Sequence, residues 1–313
     1  MPLTTAETRE RESRWALPVA LATLLAVVLM VAAQFATPAS ESGAAGLLRS
    51  VDENSGAVIL SGLLQAAAFA LLAFPLAYLF RAAAARSERV RPQLIGLVVA
   101  APLFLALSTG FSILAQQEAA DQFVSGEAKS TLSRAEAKDE CVEDREDEGA
   151  EDFAEEFDPA KGETPLAACE DRKVKDDAAS EARTDASFGP FAAGLGIAGG
   201  FAFAFALFYT CLWAMRTGLL SRFWGSLGMA LGIATLLGLI IFALIWFVYF
   251  AMLILGKVPG GRSPAWERGE AVPWPTPGEK AAAEMEPAEG WDESAAEPES
   301  EPGEEKRKRK QRE

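Results

Sequence analysis

Gly225-Ser-Leu-Gly-Met-Ala-Leu-Gly-Ile-Ala-Thr-Leu-Leu-Gly-Leu-Ile-Ile-Phe-Ala-Leu-Ile-Trp-Phe-Val-Tyr-Phe-Ala-Met-Leu-Ile-Leu-Gly256 contains no Lys, Arg, Asp or Glu. As one helix these residues would be about 48 Å long, against a hydrocarbon core of about 30 Å. A tilt of about 40° absorbs only part of that excess. Folded near Gly238 into two antiparallel helices of about 16 residues, each would be slightly short for a crossing. The reading of this block decides between five crossings and six.

Four more uncharged blocks precede it, at 16–36, 57–80, 93–115 and 191–215. A helix of about 20 apolar residues spans a bilayer because it satisfies all its backbone groups internally. Each Leu, Ile, Val or Phe near the centre favours insertion by about 0.3–0.6 kcal/mol. The first block follows Glu7, Glu10 and Glu12 interleaved with Arg9, Arg11 and Arg14. Its apolar run, Leu17 to Phe35, exceeds the roughly 7–15 residues of a signal-peptide core, so it is read as an uncleaved anchor.

Half of the 313 residues are apolar and the formal charge is -15, yet charged and apolar residues fall in separate blocks. That segregation is the mark of a membrane chain. There is no histidine, which removes the commonest general base, pH switch and metal ligand. Cys141, Cys169 and Cys211 are too few and too scattered for a zinc site. Abundant Arg and Ala beside sparse Lys suggest a high-GC bacterial genome.

Basic residues next to short connections mark the cytoplasmic side. Arg9, Arg11 and Arg14 precede the first block, Arg81, Arg86, Arg89 and Arg91 follow the second, and Arg216 and Arg222 follow the fourth. Connection 37–56 has only Arg49, and Lys257, Arg262 and Arg268 follow the last block. The expected order is cytoplasmic tail 1–15, three helices within 16–115, an extracytoplasmic segment 116–188, a membrane region 189–257 and a cytoplasmic tail 258–313. Both ends inside requires an even number of crossings. The fold class is therefore an all-α integral membrane protein, a bundle of six transmembrane helices, alternatively five.

Gly218-Leu-Leu-Ser-Arg-Phe-Trp-Gly-Ser-Leu-Gly-Met229 and Gly256-Lys-Val-Pro-Gly-Gly-Arg-Ser-Pro-Ala-Trp-Glu-Arg-Gly-Glu-Ala-Val-Pro-Trp-Pro275 resemble the C-terminal half of uncharacterised multi-pass membrane proteins of high-GC Gram-positive bacteria. The resemblance implies two helices between the motifs, joined by a short outer turn. It implies no activity.

Residues 118–185 hold 23 Asp and Glu against 9 Lys and Arg, a net of -14. A helix is expected over Ala128–Glu143, with Pro159, Gly162 and Pro165 breaking regular structure beyond it. Leu132, Phe153, Phe157 and Leu166 are too few for a sizeable core, so the segment is read as solvated and partly disordered. Outside the cytoplasm Cys141 and Cys169 are a candidate disulfide; the alternative is two unpaired thiols. Asp144, Glu146, Glu148, Gly149 and Glu155 have the spacing of a calcium-binding EF-hand loop. Glu at the third and fifth positions and Glu151 at the eighth make the pattern weak, and loose attraction of divalent cations needs no motif.

The apolar blocks carry no ionisable acid or base, which argues against an ion or proton path. Ser61, Gln65, Ser108, Thr109 and Ser112 are their notable polar residues, read first as interhelical hydrogen-bonding groups. Gly196 with Gly200, and Gly228 with Gly232, allow close helix approach, within one chain or between copies. From Pro264 onward the composition predicts a disordered tail, with the first Trp residues at the membrane surface. Lys306, Arg307, Lys308, Arg309 and Lys310 are candidate contacts for anionic lipid, offset by Glu304, Glu305 and Glu313. Nucleic acid is not an expected partner of so acidic a chain.

Neither a phosphate loop, a nucleophile elbow nor a metal-protease motif is present, so no catalytic residue or cofactor is assigned and the chain is read as non-catalytic. The leading expectation is an envelope scaffold or interaction protein of the bacterial plasma membrane, in contact with lipid and an envelope protein partner. The alternative is a channel or carrier for a small uncharged solute.

Overall fold

Long runs of Ala, Leu, Phe and Val have good helix propensity and no water-seeking side chain to compete for the backbone. The computed structural model describes residues 5–39, 42–157 and 164–275, and every regular element among them is helical. They are α1 Thr5–Ala36, α2 Ala44–Glu53, α3 Ser55–Arg86, α4 Ile95–Val124, α5 Arg134–Glu148, α6 Ala150–Glu156, α7 Pro165–Asp185, α8 Gly189–Arg216, α9 Arg222–Ala234, α10 Ile240–Ile254 and α11 Pro264–Arg268. Four of these, α1, α3, α8 and α4 with its leading 3-10 turn, are long and apolar enough to cross a membrane. Each extends past its apolar block, because flanking stretches such as Arg81–Arg86 are strong helix formers.

The packing is that of an apolar solvent outside and small residues inside. Leu17, Leu21, Leu25 and Val28 form an exposed stripe on α1, while Ala16, Ala20, Thr23, Ala26 and Met30 face inward. On α8 Phe201 and Phe205 point outward and Phe203 packs on Phe247. Exposed apolar surface on this scale is not tolerated in water. Glycines set the close approaches. A Cβ on Gly196 would lie 2.9 Å from Ser108 Oγ of α4, and one on Gly228 would lie 2.4 Å from Cys211 Sγ of α8. The two Gly-x-x-x-Gly pairs therefore serve packing within the chain.

Block 225–256 is divided. α9 ends in a 3-10 turn at Thr235–Leu237, Gly238 adopts φ 77° in the left-handed region, and α10 begins at Ile240. Trp224 stacks on Tyr249 at 3.5 Å, and Trp246 Nε1 donates to the Trp224 carbonyl at 2.9 Å. Ascending α9 from Trp224 to Gly228 descends α10 from Tyr249 to Trp246, so the two helices are antiparallel.

Residues 258–274 correct the expectation of a tail disordered throughout. This segment folds back over the end of the bundle where α1 begins and α3 and α8 finish. Ser263 Oγ donates to the Gly218 carbonyl at 2.6 Å, Trp266 Nε1 to Leu219 at 3.0 Å and Trp274 Nε1 to Leu220 at 2.8 Å. These carbonyls lie just past the C-terminus of α8, where backbone acceptors need partners. Gly218 has φ 78° and must be glycine, since a Cβ there would lie 1.9 Å from the Val272 oxygen. Trp266, expected at a membrane surface, is buried and stacks on Tyr78. The cluster Lys306–Lys310 lies outside the described residues.

The same end holds a buried ion pair. Arg86 grips both carboxylate oxygens of Glu12, donates to the Ala265 carbonyl at 2.9 Å and to Ala82 at 2.9 Å. Its side chain is fully enclosed. A buried guanidinium is tolerable only with its donors filled this way.

Candidate functional site

At the opposite end, the short helix α2 packs against α4 and α7. The amphipathic pattern of α2 explains its position: Ala45, Leu48 and Val51 are buried in a cluster with Ala119, Ala120, Ala179 and Ala182, while Arg49 and Asp52 face outward. Asp176 of α7 fixes its start by accepting a hydrogen bond from the Ala45 amide at 2.8 Å. That acid sits at the helix N-terminus, where the helix dipole favours negative charge.

Beneath α2 is a cavity of about 370 Å3. Ser61 and Gln65 enter it from one face of α3; Ser108, Thr109, Ser112 and Gln116 enter from α4 at helical spacing. Thr37 and Ser50 close its rim, and Leu47, Val51, Val58 and Ile113 supply apolar wall. Gly62 lets α3 approach α4, because a Cβ there would lie 2.3 Å from Ile113 Cδ1. Thus all five intramembrane polar residues singled out in the sequence meet in one place. Thr37, Ser50 and Gln116 were missed; the i, i+4, i+8 series Ser108, Ser112, Gln116 was the available signal.

The chemistry of the cavity is neutral. Among the described residues no titratable side chain lines it. Ser61 Oγ donates to the Val58 carbonyl at 3.1 Å, Thr109 Oγ1 to Leu105 at 2.9 Å and Ser108 Oγ to Ala192 of α8 at 2.8 Å. Those hydroxyl protons are committed, leaving oxygen lone pairs to accept. The side chains of Gln65, Ser112 and Gln116 make no hydrogen bond among the described residues, so both amides keep donors and acceptors available. The arrangement can bind a neutral polar molecule; it holds no nucleophile paired with a base.

The acidic segment is more ordered than composition implied. Helices α5 and α7 pack side by side and the disulfide Cys141–Cys169 joins them, with Cα atoms 6.1 Å apart. Phe153, Phe157 and the two cysteines form a small buried cluster, with Leu166 packed against it. The expected helix at Ala128–Glu143 begins later, because Ser133 caps α5 in a reciprocal capping box with Glu136. Asp177 Oδ2 accepts from Thr131 N at 2.7 Å, Leu132 N at 2.9 Å and Ser130 Oγ at 2.7 Å. The Leu132 amide, followed by the Ser130 hydroxyl, holds the Asp177 carboxyl below the usual carboxylate range. Burial works against the charge of Lys173, but hydrogen bonds to Asp144 and Glu140 outweigh it and raise the ammonium above its ordinary value.

The EF-hand reading does not survive this geometry. Asp144, Glu146 and Glu148 are alternate positions of the regular helix α5, and Glu155 belongs to α6. Steps of two turn about 200° around a helix, so Asp144 and Glu146 diverge instead of converging on one ion. Asp144 is instead bound by Lys173 at 2.8 Å.

The chain is thus a helical protein with four helices long and apolar enough to cross a membrane, a covered neutral cavity at one end and a folded acidic module beside it. No protein family, curated protein or solved structure matches it.

Proposed function

We propose that this is a multi-pass protein of a bacterial plasma membrane that presents the acidic module outside the cytoplasm as a contact surface for an envelope partner, without catalysis of its own. In this reading α9 and α10 complete six crossings and both termini are cytoplasmic; the resemblance of the C-terminal motifs likewise implies two helices between them, joined by a short outer turn. The observation that carries it is the construction of the module. A merely solubilising acidic insertion has no use for a disulfide, two capped helices and a tether at Asp177. Rigid presentation of a charged face lowers the ordering cost of binding.

The test has two parts. Intact cells carrying Cys211→Ser are labelled with an impermeant maleimide before and after mild reduction; labelling only after reduction supports the topology, and labelling only after permeabilisation refutes it. Residues 130–173 are then replaced by a short Gly/Ser linker, sparing the half of α7 that packs on α2 and α4. The bundle should remain inserted while site-specific cross-links from the module to envelope proteins disappear.

A second reading, a carrier or channel for a small uncharged solute, is favoured by the neutral cavity under α2. Such a site suits polyols or amides of a size fitting about 370 Å3. Liposome flux across a panel of these solutes, lowered by Gln65→Leu with Ser112→Ala, supports it. Flux equal to that of empty vesicles across the panel refutes it.

A further inference from the structure

Helices α1 and α4 each pack along α3 but hardly meet one another. Between them, over α3, runs a groove of about 430 Å3. Its floor is Ala70, Ala73 and Ala77, three small residues on one face of α3. Trp15, Phe74 and Leu103 stand exposed along its sides, so it opens laterally. From Ala70 to Arg81 the groove follows α3 for about 16 Å. Apart from the Tyr78 ring, whose hydroxyl is committed to the Glu12 carbonyl at 3.0 Å, only the mouth is polar.

The mouth is built by Arg11 and Arg81, which also line an adjoining polar cleft of about 540 Å3. One apolar slot and one polar chamber therefore share two guanidinium groups. Neither arginine forms an ion pair among the described residues. Glu12 stands beside them, but Arg86 occupies its carboxylate. Glu88 lines the outer cleft, which leaves one net positive charge between α1, α3, α4 and the connection that follows α3.

We propose that this groove is a binding site for an anionic phospholipid, with one acyl chain over the alanine floor and the phosphodiester between Arg11 and Arg81. The proposal rests on the bilayer reading of α1, α3 and α4. Charge complementarity selects the occupant: a singly charged phosphodiester matches the residual charge, and guanidinium forks suit its oxygens. Basic pockets between helices at the membrane surface recognise lipid head groups in this way. Lateral opening admits a chain from the bilayer, whereas a free anion would gain nothing from the apolar slot. Trp15 at the level of the arginines has the amphipathic ring favoured at that depth.

The test is native mass spectrometry of the full chain in detergent, titrated with phosphatidylglycerol, phosphatidylcholine of identical acyl chains, or glycerol phosphate. Binding at least tenfold tighter for phosphatidylglycerol than for phosphatidylcholine, with no glycerol phosphate bound, is expected. Arg11→Gln with Arg81→Gln should bring the two lipids level, and Ala77→Leu should weaken both about fivefold by filling the floor. Neutralising Lys306, Arg307, Lys308, Arg309 and Lys310 should leave the tenfold preference intact. Equal affinities in the wild type, a preference that survives loss of both arginines, or one that vanishes with the tail cluster would overturn the proposal. Glycerol phosphate binding as tightly as the lipid would make this a free-anion site instead. Should the double variant fail to fold, Ala77→Leu and Arg81→Gln alone decide the matter. Failure here leaves the topology untouched, since maleimide labelling reads that independently.

Discussion

Reducing the Cys141–Cys169 bond should open the acidic module while leaving the bundle closed. The bond closes a loop of 28 residues. The chain-entropy relation assigns such a loop about 3.5 kcal/mol, or roughly 400-fold in the local opening equilibrium. Little else can compensate. The remaining cluster there is Phe153 and Phe157 with Leu166 and Ala168, and the ion pairs of Lys173 are partly exposed and worth at most about 1 kcal/mol. The second half of α7 is different, since Ala179, Ala182 and Ala186 are buried against α2 and α4. Hydrogen exchange of the full chain, with and without a phosphine reductant and again for Cys141→Ser/Cys169→Ser, reads the two regions separately. Protection of α5, α6 and residues 165–173 should fall by about 400-fold, with 178–186 and α4 nearly unchanged. Unchanged protection in α5 would refute the argument that the bond substitutes for a core. Loss spreading into α2 and α4 would refute the separation of module from bundle.

Three further outcomes follow from single contacts. Glu12→Gln strands the enclosed Arg86 guanidinium and should cost about 3–5 kcal/mol in thermal unfolding, while Glu12→Gln/Arg86→Met should cost clearly less; equal costs would contradict the buried pair. Gly228→Ala should destabilise by about 1–3 kcal/mol because its Cβ meets Cys211 and Trp246, whereas Gly110→Ala, with nothing within 4 Å, should gain up to about 1 kcal/mol. The Asp177 carboxyl titrates lower folded than unfolded, so its contribution is complete above the usual carboxylate range near about pH 4 and fades as pH falls through the folded value. Exchange of the Thr131 and Leu132 amides should accelerate over that acid range, and Asp177→Asn should abolish the step; a step that persists in the variant would assign it elsewhere.

The elements most legible in the sequence were those governed by composition alone. Uncharged runs of sufficient length read as long helices, and a glycine at 238 marked where the last run divides. What escaped was governed by partners distant in the chain. The tail segment looks unstructured because Pro, Glu and Gly dominate it, yet Ser263, Trp266 and Trp274 find three adjacent carbonyls past α8. Likewise the acidic segment lacks a conventional core, and its order depends on side chains such as Asp176 and Asp177 that act on α2 and on residues 130–132. The neutral cavity was half visible: its five polar residues could be named, but their convergence required the crossing of α3 on α4 under the short helix α2.

The return of residues 258–274 across the start of α1 also fixes an order of assembly. Synthesis runs from the N-terminus, so Glu12 is made long before Arg86, and Arg86 long before the Ala265 carbonyl that completes its shell, 179 positions later. The first helix must wait for the third to neutralise its acid, and that pair stays unsealed until residue 265 has been made and folded back. A ribosome stalled anywhere before Trp266 would release a chain with a charged seam at one end. That seam would leave such a copy chemically distinct from one in which residues 258–274 have folded back.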